Sequence, residues 1–398
     1  MSHLIELILA IAALLLLIPS TVLLGECLAA FWLRPGEPEV AQRPTVAVLV
    51  PAHNEAAGIT QTIKTLHPQL TAQDRLIVIA DNCTDNTADL ARQLGVIVIE
   101  RHEPDRQKRG KGYALDYGLN YLQAEPPEVV VTVDADCTVA SQTVERIARL
   151  AKATNRPVQS VYLMQQPDEP SVKDTISALA VLVKNLVRPS GLTVMGFPCL
   201  LMGSGMAFPW PVMSKVSLAN SKTVDDMQLG LDLAIAGYPP LFCREGFVEG
   251  RLMAQQFAKS QRSRWEHGHL ETLLGQTPRL LKEALVQKRW ALWALALELS
   301  VPPLSLLVIL WLAVTGGTAV AVYWGLSWLP LLISAIAGVL ISVSILGAWA
   351  KFGRDLIPGR TLLAIPLYVL WKIPLYLAFW IKPQTKWLQT EREEAQEI

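Results

Sequence analysis

The sequence predicts an α/β domain built on a mainly parallel sheet with helices on both faces, bracketed by apolar segments long enough to cross a bilayer. Three observations carry this. Between Pro44 and about Gln276, short β-branched runs alternate with amphipathic stretches, the pattern of strand–helix–strand units. The strand candidates are near-continuously apolar, as strands buried on both faces are. The hydrophobic share of 51% in 398 residues is concentrated at the two ends of the chain.

The first apolar stretch, Leu7 to Gly25, is uncharged and about as long as a membrane span. No Lys or Arg precedes it and no small-residue cleavage site follows, so a retained anchor is expected rather than a signal peptide. Cys27 follows Glu26, a poor context for lipid attachment. Arg34 and Arg43 come next and predict a cytoplasmic position for the middle domain. Within that domain the expected strands are Val46–Val50, Leu76–Ala80, Val96–Glu100, Val129–Val133 and Val158–Met164, with helices over about 57–66, 85–94, 111–122 and 141–153.

Beyond it, spans are expected at about 293–314, 320–349 and 361–381. Lys282, Lys288 and Arg289 precede the first, and Lys351, Arg354 and Arg360 separate the second from the third. Two crossings lie between these clusters, which puts both on the side of the middle domain. Lys372 interrupts the last segment, and crossing, re-entry and an interfacial position stay open for it. The expected organisation is thus an anchor and linker over 1–43, the middle domain over 44–276, an interfacial segment with C-terminal membrane helices over 277–390, and a charged tail over 391–398.

Lys+Arg and Asp+Glu balance at 35 each, so no polyanionic partner such as nucleic acid is indicated. The five cysteines (27, 83, 137, 199, 243) include no CxxC pair, which fits reduced thiols.

Ligands of such sheets bind at the carboxyl ends of the strands. After the first strand comes Pro51-Ala52-His53-Asn54-Glu55, after the second Asp81-Asn82-Cys83-Thr84-Asp85, after the fourth Asp134-Ala135-Asp136. A solvated turn explains any one of them; three on one edge point to a metal-and-nucleotide site. Asp134 and Asp136 project to the same side of extended backbone, and paired carboxylates suit Mg²⁺ or Mn²⁺ together with a diphosphate. No G-x-G-x-x-G follows the first strand and no P-loop occurs, which argues against a dehydrogenase or P-loop ATPase. Gly203-Ser204-Gly205 is half such a fingerprint, and a tight turn accounts for it equally well.

PAHNE, DNCTD, Lys111-Gly112, DADC, Asp225-Asp226 and QRSRW (Gln261–Trp265) occur in that order. With them, over about Val46–Gly268, the chain resembles the membrane-integrated family 2 inverting glycosyltransferases, the group containing cellulose, hyaluronan and rhizobial chitin-oligosaccharide synthases. The resemblance implies a GT-A-type glycosyltransferase fold, Rossmann-like in its nucleotide-binding half. It implies that Pro51, Asn54 and Glu55 line the nucleoside pocket, that Asp81 faces the base, and that Lys111 lies near the nucleotide. Asp134 and Asp136 would hold the metal and donor diphosphate, and Gln261, Arg262, Arg264 and Trp265 would complete the donor site. Many relatives carry a second acid just before the position of Asp81; here it is Ala80, which leaves the base, usually uracil, open.

Asp226 is the implied general base, a group expected to contribute about 10²–10⁴-fold. Thr223-Val224-Asp225-Asp226 also reads as a helix start, and the two roles are compatible. For QRSRW, Arg suits diphosphate through its bidentate fork; the alternative is an interfacial helix with basic and aromatic anchors. His267 and His269 lack a second pair that would complete a metal site. Val172–Arg188 reads as an interfacial or a core helix. Glu298 lies in an expected span, beside Pro302-Pro303, where an acid is a candidate functional group or a solvated one near the span's end.

The function implied is transfer of a sugar from a nucleotide-sugar donor, a UDP-sugar by expectation, to a growing saccharide in cell-surface or exopolysaccharide synthesis. The enzyme would sit in the plasma (inner) membrane with its catalytic domain in the cytoplasm, with membrane lipids and other synthase subunits as partners. Transfer of one sugar to a membrane lipid is the alternative acceptor chemistry. A non-catalytic synthase subunit would be expected to have lost the base or the metal pair.

Overall fold

A computed structural model describes residues 2–32, 42–167, 169–214, 218, 225–251 and 255–381. They divide into two compact units, one from within Met1–Leu33, Asp168–Phe197 and His269–Gln384, the other from within Arg34–Pro167 and Pro198–Gly268. The first unit opens with helix α1 (Ser2–Ala29).

The second unit is the α/β body. Its first half runs β1 (Val46–Ala52), α2 (Ile59–Leu66), β2 (Arg75–Asp81), α3 (Thr87–Gln93), β3 (Ile97–Arg101), α4 (Lys111–Leu122) and β4 (Val129–Thr132). These four strands are mutually parallel neighbours. β5 (Cys137–Val139), α5 (Thr143–Thr154) and β6 (Val158–Met164) follow, all in one eight-stranded sheet ordered β3-β2-β1-β4-β7-β6-β8-β5. Its remaining strands are β7 (Met206–Pro209) and β8 (Leu241–Gly250). β7 lies antiparallel to β4 and β6, β8 parallel to β6, and β5 antiparallel to β8.

The continuous apolar character of the parallel strands has a plain cause, because both faces are covered. Val46, Val48 and Val50 pack with Ile59, Ile63 and Leu66 of α2 and with Ile147 of α5. Ala47 and Leu49, facing the other way, pack with Ala114, Leu115 and Leu119 of α4. The expected strands and helices of this half lie within two residues of the observed ones. The antiparallel half was less visible in sequence. β7 has four residues, and β8 (LFCREGFVEG) is interrupted by charged residues and faces a register shift between Ser160 and Val161.

The first unit continues with α6 (Val172–Leu182), a π-helical turn over Val183–Val187, and α7 (Arg188–Val194). α6 starts in a capping box, in which Ser171 Oγ accepts from Asp174 N–H and the Asp174 carboxylate accepts from Ser171 N–H. In the chain there follow α8 (Trp210–Met213) and α9 (Asp225–Ile235), both of the α/β body, then α10 (Gln255–Gln287), within which the division between units falls. The apolar series is α11 (Trp290–Ser300), α12 (Leu304–Tyr323), α13 (Leu329–Ala348), α14 (Gly359–Leu362) and α15 (Ile365–Ile381).

Among the described residues three helices are long and apolar enough to cross a membrane: His3–Trp32, Leu304–Tyr323 and Leu329–Gly353. The span expected at 293–314 is corrected here. Pro302-Pro303 separates α11 from α12, because proline lacks the N–H for a helical bond and disfavours helical backbone before it, so the helix of span length is Leu304–Tyr323. The next begins at Leu329 rather than 320, after a turn through Gly325 at φ +84°. The 361–381 segment forms α15, whose 17 residues fall short of those three.

Glu298 is buried rather than solvated. Arg188, also buried, donates through Nε to Glu26 Oε2 at 2.5 Å and through Nη2 to the Glu298 carbonyl at 2.8 Å. One guanidinium thereby joins α1, α7 and α11. The α6–α7 stretch carries a buried face (Ile176, Leu179, Leu182) and exposed apolar residues at its ends (Val172, Val194, Met195), so the core and interfacial descriptions each fit part of it.

Candidate active site

The loops after β1 and β2 are fastened to each other. Asn54, at φ +55°, accepts Thr84 N–H on its side-chain oxygen at 2.7 Å and donates to Thr84 Oγ1 at 3.1 Å. Asp85 accepts Ala56 N–H at 3.1 Å, and Glu55 N–H donates to Thr87 Oγ1 at 2.8 Å. Much of PAHNE and DNCTD is therefore mutual bracing. Pro51 is the next-to-last residue of β1, and Glu55 is buried at 8% exposure. Asp81 ends β2, 5% exposed, and pairs with Arg101 at 2.7 Å.

Asp134 and Asp136 leave β4 for β5, and with Cys137 they bring potential ligand atoms within 4.8 Å of one another. Lys111, the first residue of α4, donates its ammonium to Asp134 Oδ1 and to the Gly203 carbonyl. Burial pulls down on that ammonium's pKa, but Asp134 and then Asp226 hold it above its ordinary value. Burial, and next the charge of Asp134, push Asp136 up to about 6. Two acids thus crowd each other, with Lys111 as their counter-charge among the described residues. That is the donor set of a hard divalent cation, and the residues fit Mg²⁺ or Mn²⁺. The Cys137 thiol is held well above its usual pKa by burial, so the fit rests on the two carboxylates.

Asp226 sits in the first turn of α9. A Cβ placed on Gly203 would lie 3.3 Å from Asp226 Oδ2 and 4.0 Å from Lys111 Nζ. Lys111 and the expected base therefore meet at one glycine, and Lys111 ties that glycine to Asp134. That glycine belongs to the Gly203-Ser204-Gly205 turn leading into β7, and Ser204 Oγ accepts Asp134 N–H at 3.0 Å. In sequence, half a fingerprint and a tight turn accounted for this stretch equally well. It is a turn, with φ of +102° and +68° at its glycines, and also a wall of the site. Arg101 was missed as well, although as the β3 residue in register with Asp81 it had a usable signal.

The QRSRW run lies in α10. Arg264 is partly buried, which lowers its pKa, and Trp265 is 39% exposed. The side chains of Gln261, Arg262 and Asp225, and all of Thr223 and Val224, lie outside the described residues. Among the described residues the Asp134–Asp136–Cys137 group is the one with metal-ligand spacing. Burial holds His269 well below the ordinary imidazole range.

A curled, mostly parallel sheet with a carboxylate pair at its carboxyl edge defines a GT-A-like glycosyltransferase fold. Residues 129–381 match Glycosyl transferase family group 2, residues 47–200 match Glycosyl transferase family 2, and the chain belongs to this family. It is 31% identical over 112 residues to the low-salt glycan biosynthesis hexosyltransferase Agl6 of Haloferax volcanii, covering 28% of this chain and 25% of that protein. It is 35% identical over 101 residues to the probable glycosyltransferase YdaM of Bacillus subtilis, covering 24% of this chain and 23% of that one. The chain thus spans about a quarter of the length of these curated relatives. The solved mannosyltransferase PcManGT from Pyrobaculum calidifontis, in complex with GDP-Man and Mn²⁺, shares the fold at a TM-score of 0.54 and 19% identity, over 96% of this chain and 100% of that one.

Proposed function

We propose that this chain is a membrane-bound, metal-dependent inverting glycosyltransferase moving a sugar from a nucleotide-sugar donor, a UDP-sugar, to a growing saccharide in cell-surface or exopolysaccharide synthesis. The observation that carries the reading is the gathering of Asp134, Lys111 and Asp226 about Gly203, next to Asp136. Asp134 and Asp136 would hold Mg²⁺ or Mn²⁺, which when bound would supply charge neutralisation for the diphosphate. Lys111 and the arginines of QRSRW, Arg262 and Arg264, bind the same phosphates. Gln261 and Trp265 belong to this donor side, and Pro51, Asn54, Glu55 and Asp81 to the nucleoside side. Asp226 takes the proton of the acceptor hydroxyl as that oxygen attacks the anomeric carbon. A single displacement inverts the anomeric configuration.

The three span-length helices among the described residues support a position in the plasma (inner) membrane with the α/β body in the cytoplasm, in contact with membrane lipids and, in a larger synthase, with other subunits. That number is small for a polymer-extruding enzyme, which favours as second reading the transfer of one sugar to a membrane lipid. Retention of Asp226 and both metal-pair acids speaks against a non-catalytic subunit.

The test is nucleotide release by the purified protein in native lipid extract with Mn²⁺ or Mg²⁺, across UDP- and GDP-sugars. Release from one donor should fall about 10²–10⁴-fold in Asp226→Asn and be lost in Asp134→Asn. Product size separates polymer from glycolipid. Failure of every donor both to react and to bind would sink the catalytic reading.

A further inference from the structure

We propose that Arg101 is a specificity-setting residue of the donor pocket, which it tunes to a uracil base by leaving Asp81 a single oxygen with which to read it. The inference rests on the reading that Asp81 faces the base of a nucleotide-sugar donor.

The Asp81 carboxylate is divided into two unlike oxygens. Oδ1 accepts from Arg101 Nη1 at 2.7 Å and from Asn82 Nδ2 at 2.8 Å, which fills the two lone pairs of one carboxylate oxygen. Oδ2 receives no hydrogen bond among the described residues. The side chain is 8% exposed, an opening that leaves room for few partners.

The clamp is itself held on every side. Arg101 Nη2 donates to the Lys108 carbonyl at 2.6 Å, and the guanidinium lies over the Tyr113 ring at 5.7 Å from its centroid. Asn82 N–H donates to the Arg101 carbonyl at 2.8 Å, and Asn82 Oδ1 accepts Glu103 N–H at 2.9 Å. Oδ1 is therefore committed before any ligand arrives.

A carboxylate with one oxygen to offer reads one N–H. Uracil presents a single imide N–H between two carbonyls, and those carbonyls tolerate neighbouring guanidinium and amide donors. Guanine presents two N–H donors side by side and calls for both oxygens. Its amino group would meet an oxygen already filled, backed by a cation, and a buried donor left unmatched is costly. Cytosine and adenine carry an acceptor at the corresponding ring nitrogen and would face a carboxylate lone pair.

Calorimetric binding of UDP and of GDP to the full chain in lipid nanodiscs with Mn²⁺ tests this, in the wild type and in Arg101→Met. The wild type should bind UDP at least about tenfold more tightly than GDP, the scale of one mismatched hydrogen-bond pair. Arg101→Met frees one lone pair of Oδ1, and the ratio should move towards GDP by several-fold. Asn82→Gly tolerates the left-handed backbone at φ +53° and should move the ratio the same way, which keeps the test alive if Arg101→Met does not fold. A structural defect alone would weaken both nucleotides equally and leave the ratio unchanged. Equal or GDP-favoured binding by the wild type overturns the proposal, as does an unmoved ratio in the folded variants. Binding of neither nucleotide by the wild type overturns the donor-site reading beneath it.

Discussion

Gly205 shows what a single position contributes. Its φ of +68° lies in the left-handed region, and a Cβ there would run into Ser160 Oγ and stand 2.7 Å from Val248 Cγ2. Its backbone meanwhile bridges strands, with N–H donating to the Thr132 carbonyl at 3.0 Å and carbonyl accepting from Ser160 at 2.9 Å. Gly205→Ala should cost about 1–3 kcal/mol of stability, read as a lowered unfolding midpoint, and should weaken Mn²⁺ binding because the neighbouring Ser204 holds the Asp134 backbone. The unlike legibility of the site residues has a physical basis. Asp134 and Asp136 announced themselves because period-two spacing at a strand end is a local fact. The partnership of Lys111 with the Gly203 carbonyl spans 92 positions and exists only once α4 and β7 reach the same strand edge.

Among the elements, the parallel half was readable because burial on both faces leaves an apolar run in sequence. In the antiparallel half β6 was read in full as Val158–Met164, whereas β7 and β8 were not, since a four-residue strand and one broken by Arg244-Glu245-Gly246 carry no such run. The helix expected at 293–314 was misbounded where hydropathy ran continuously across Pro302-Pro303, although the prolines themselves were a stop signal. The tie among α1, α7 and α11 was also hidden, because it depends on a lone arginine meeting acids far away in sequence. Arg188→Met leaves Glu26 buried without its cation and should destabilise the protein by about 3–5 kcal/mol. Adding Glu26→Leu should return most of that loss, since replacing a whole buried pair by apolar side chains is often close to neutral. Thermal melts of the single and double variants in the same detergent check both expectations, and a double variant no more stable than Arg188→Met would refute the ion-pair account.

At the scale of the whole chain, family and fold were within reach of the sequence, because six short motifs in a fixed order constrain far more than any one of them. The identity of the sugar was not, since it depends on pocket shape rather than on motif residues. A ligand that binds only the folded state stabilises it, by about 2.7 kcal/mol at a hundred times its Kd. Mn²⁺ should accordingly raise the unfolding temperature of the wild type and leave that of Asp134→Asn nearly unmoved. An equal shift in both would place the cation elsewhere.

The ammonium of Lys111 lodged against Asp134 has a consequence in electroneutrality. Among the described residues, the carboxylates of Asp134, Asp136 and Asp226 share their surroundings with the ammonium of Lys111, three negative charges against one positive before any arginine of α10 is brought to the phosphates. The surplus of two has the sign of a diphosphate and repels it, while a single divalent ion cancels it. On the proposed function, nucleotide and cation should then be admitted as a pair. Bare nucleoside diphosphate should be a poor competitor, and after transfer the product should depart with its ion as Lys111 resumes its place on Asp134.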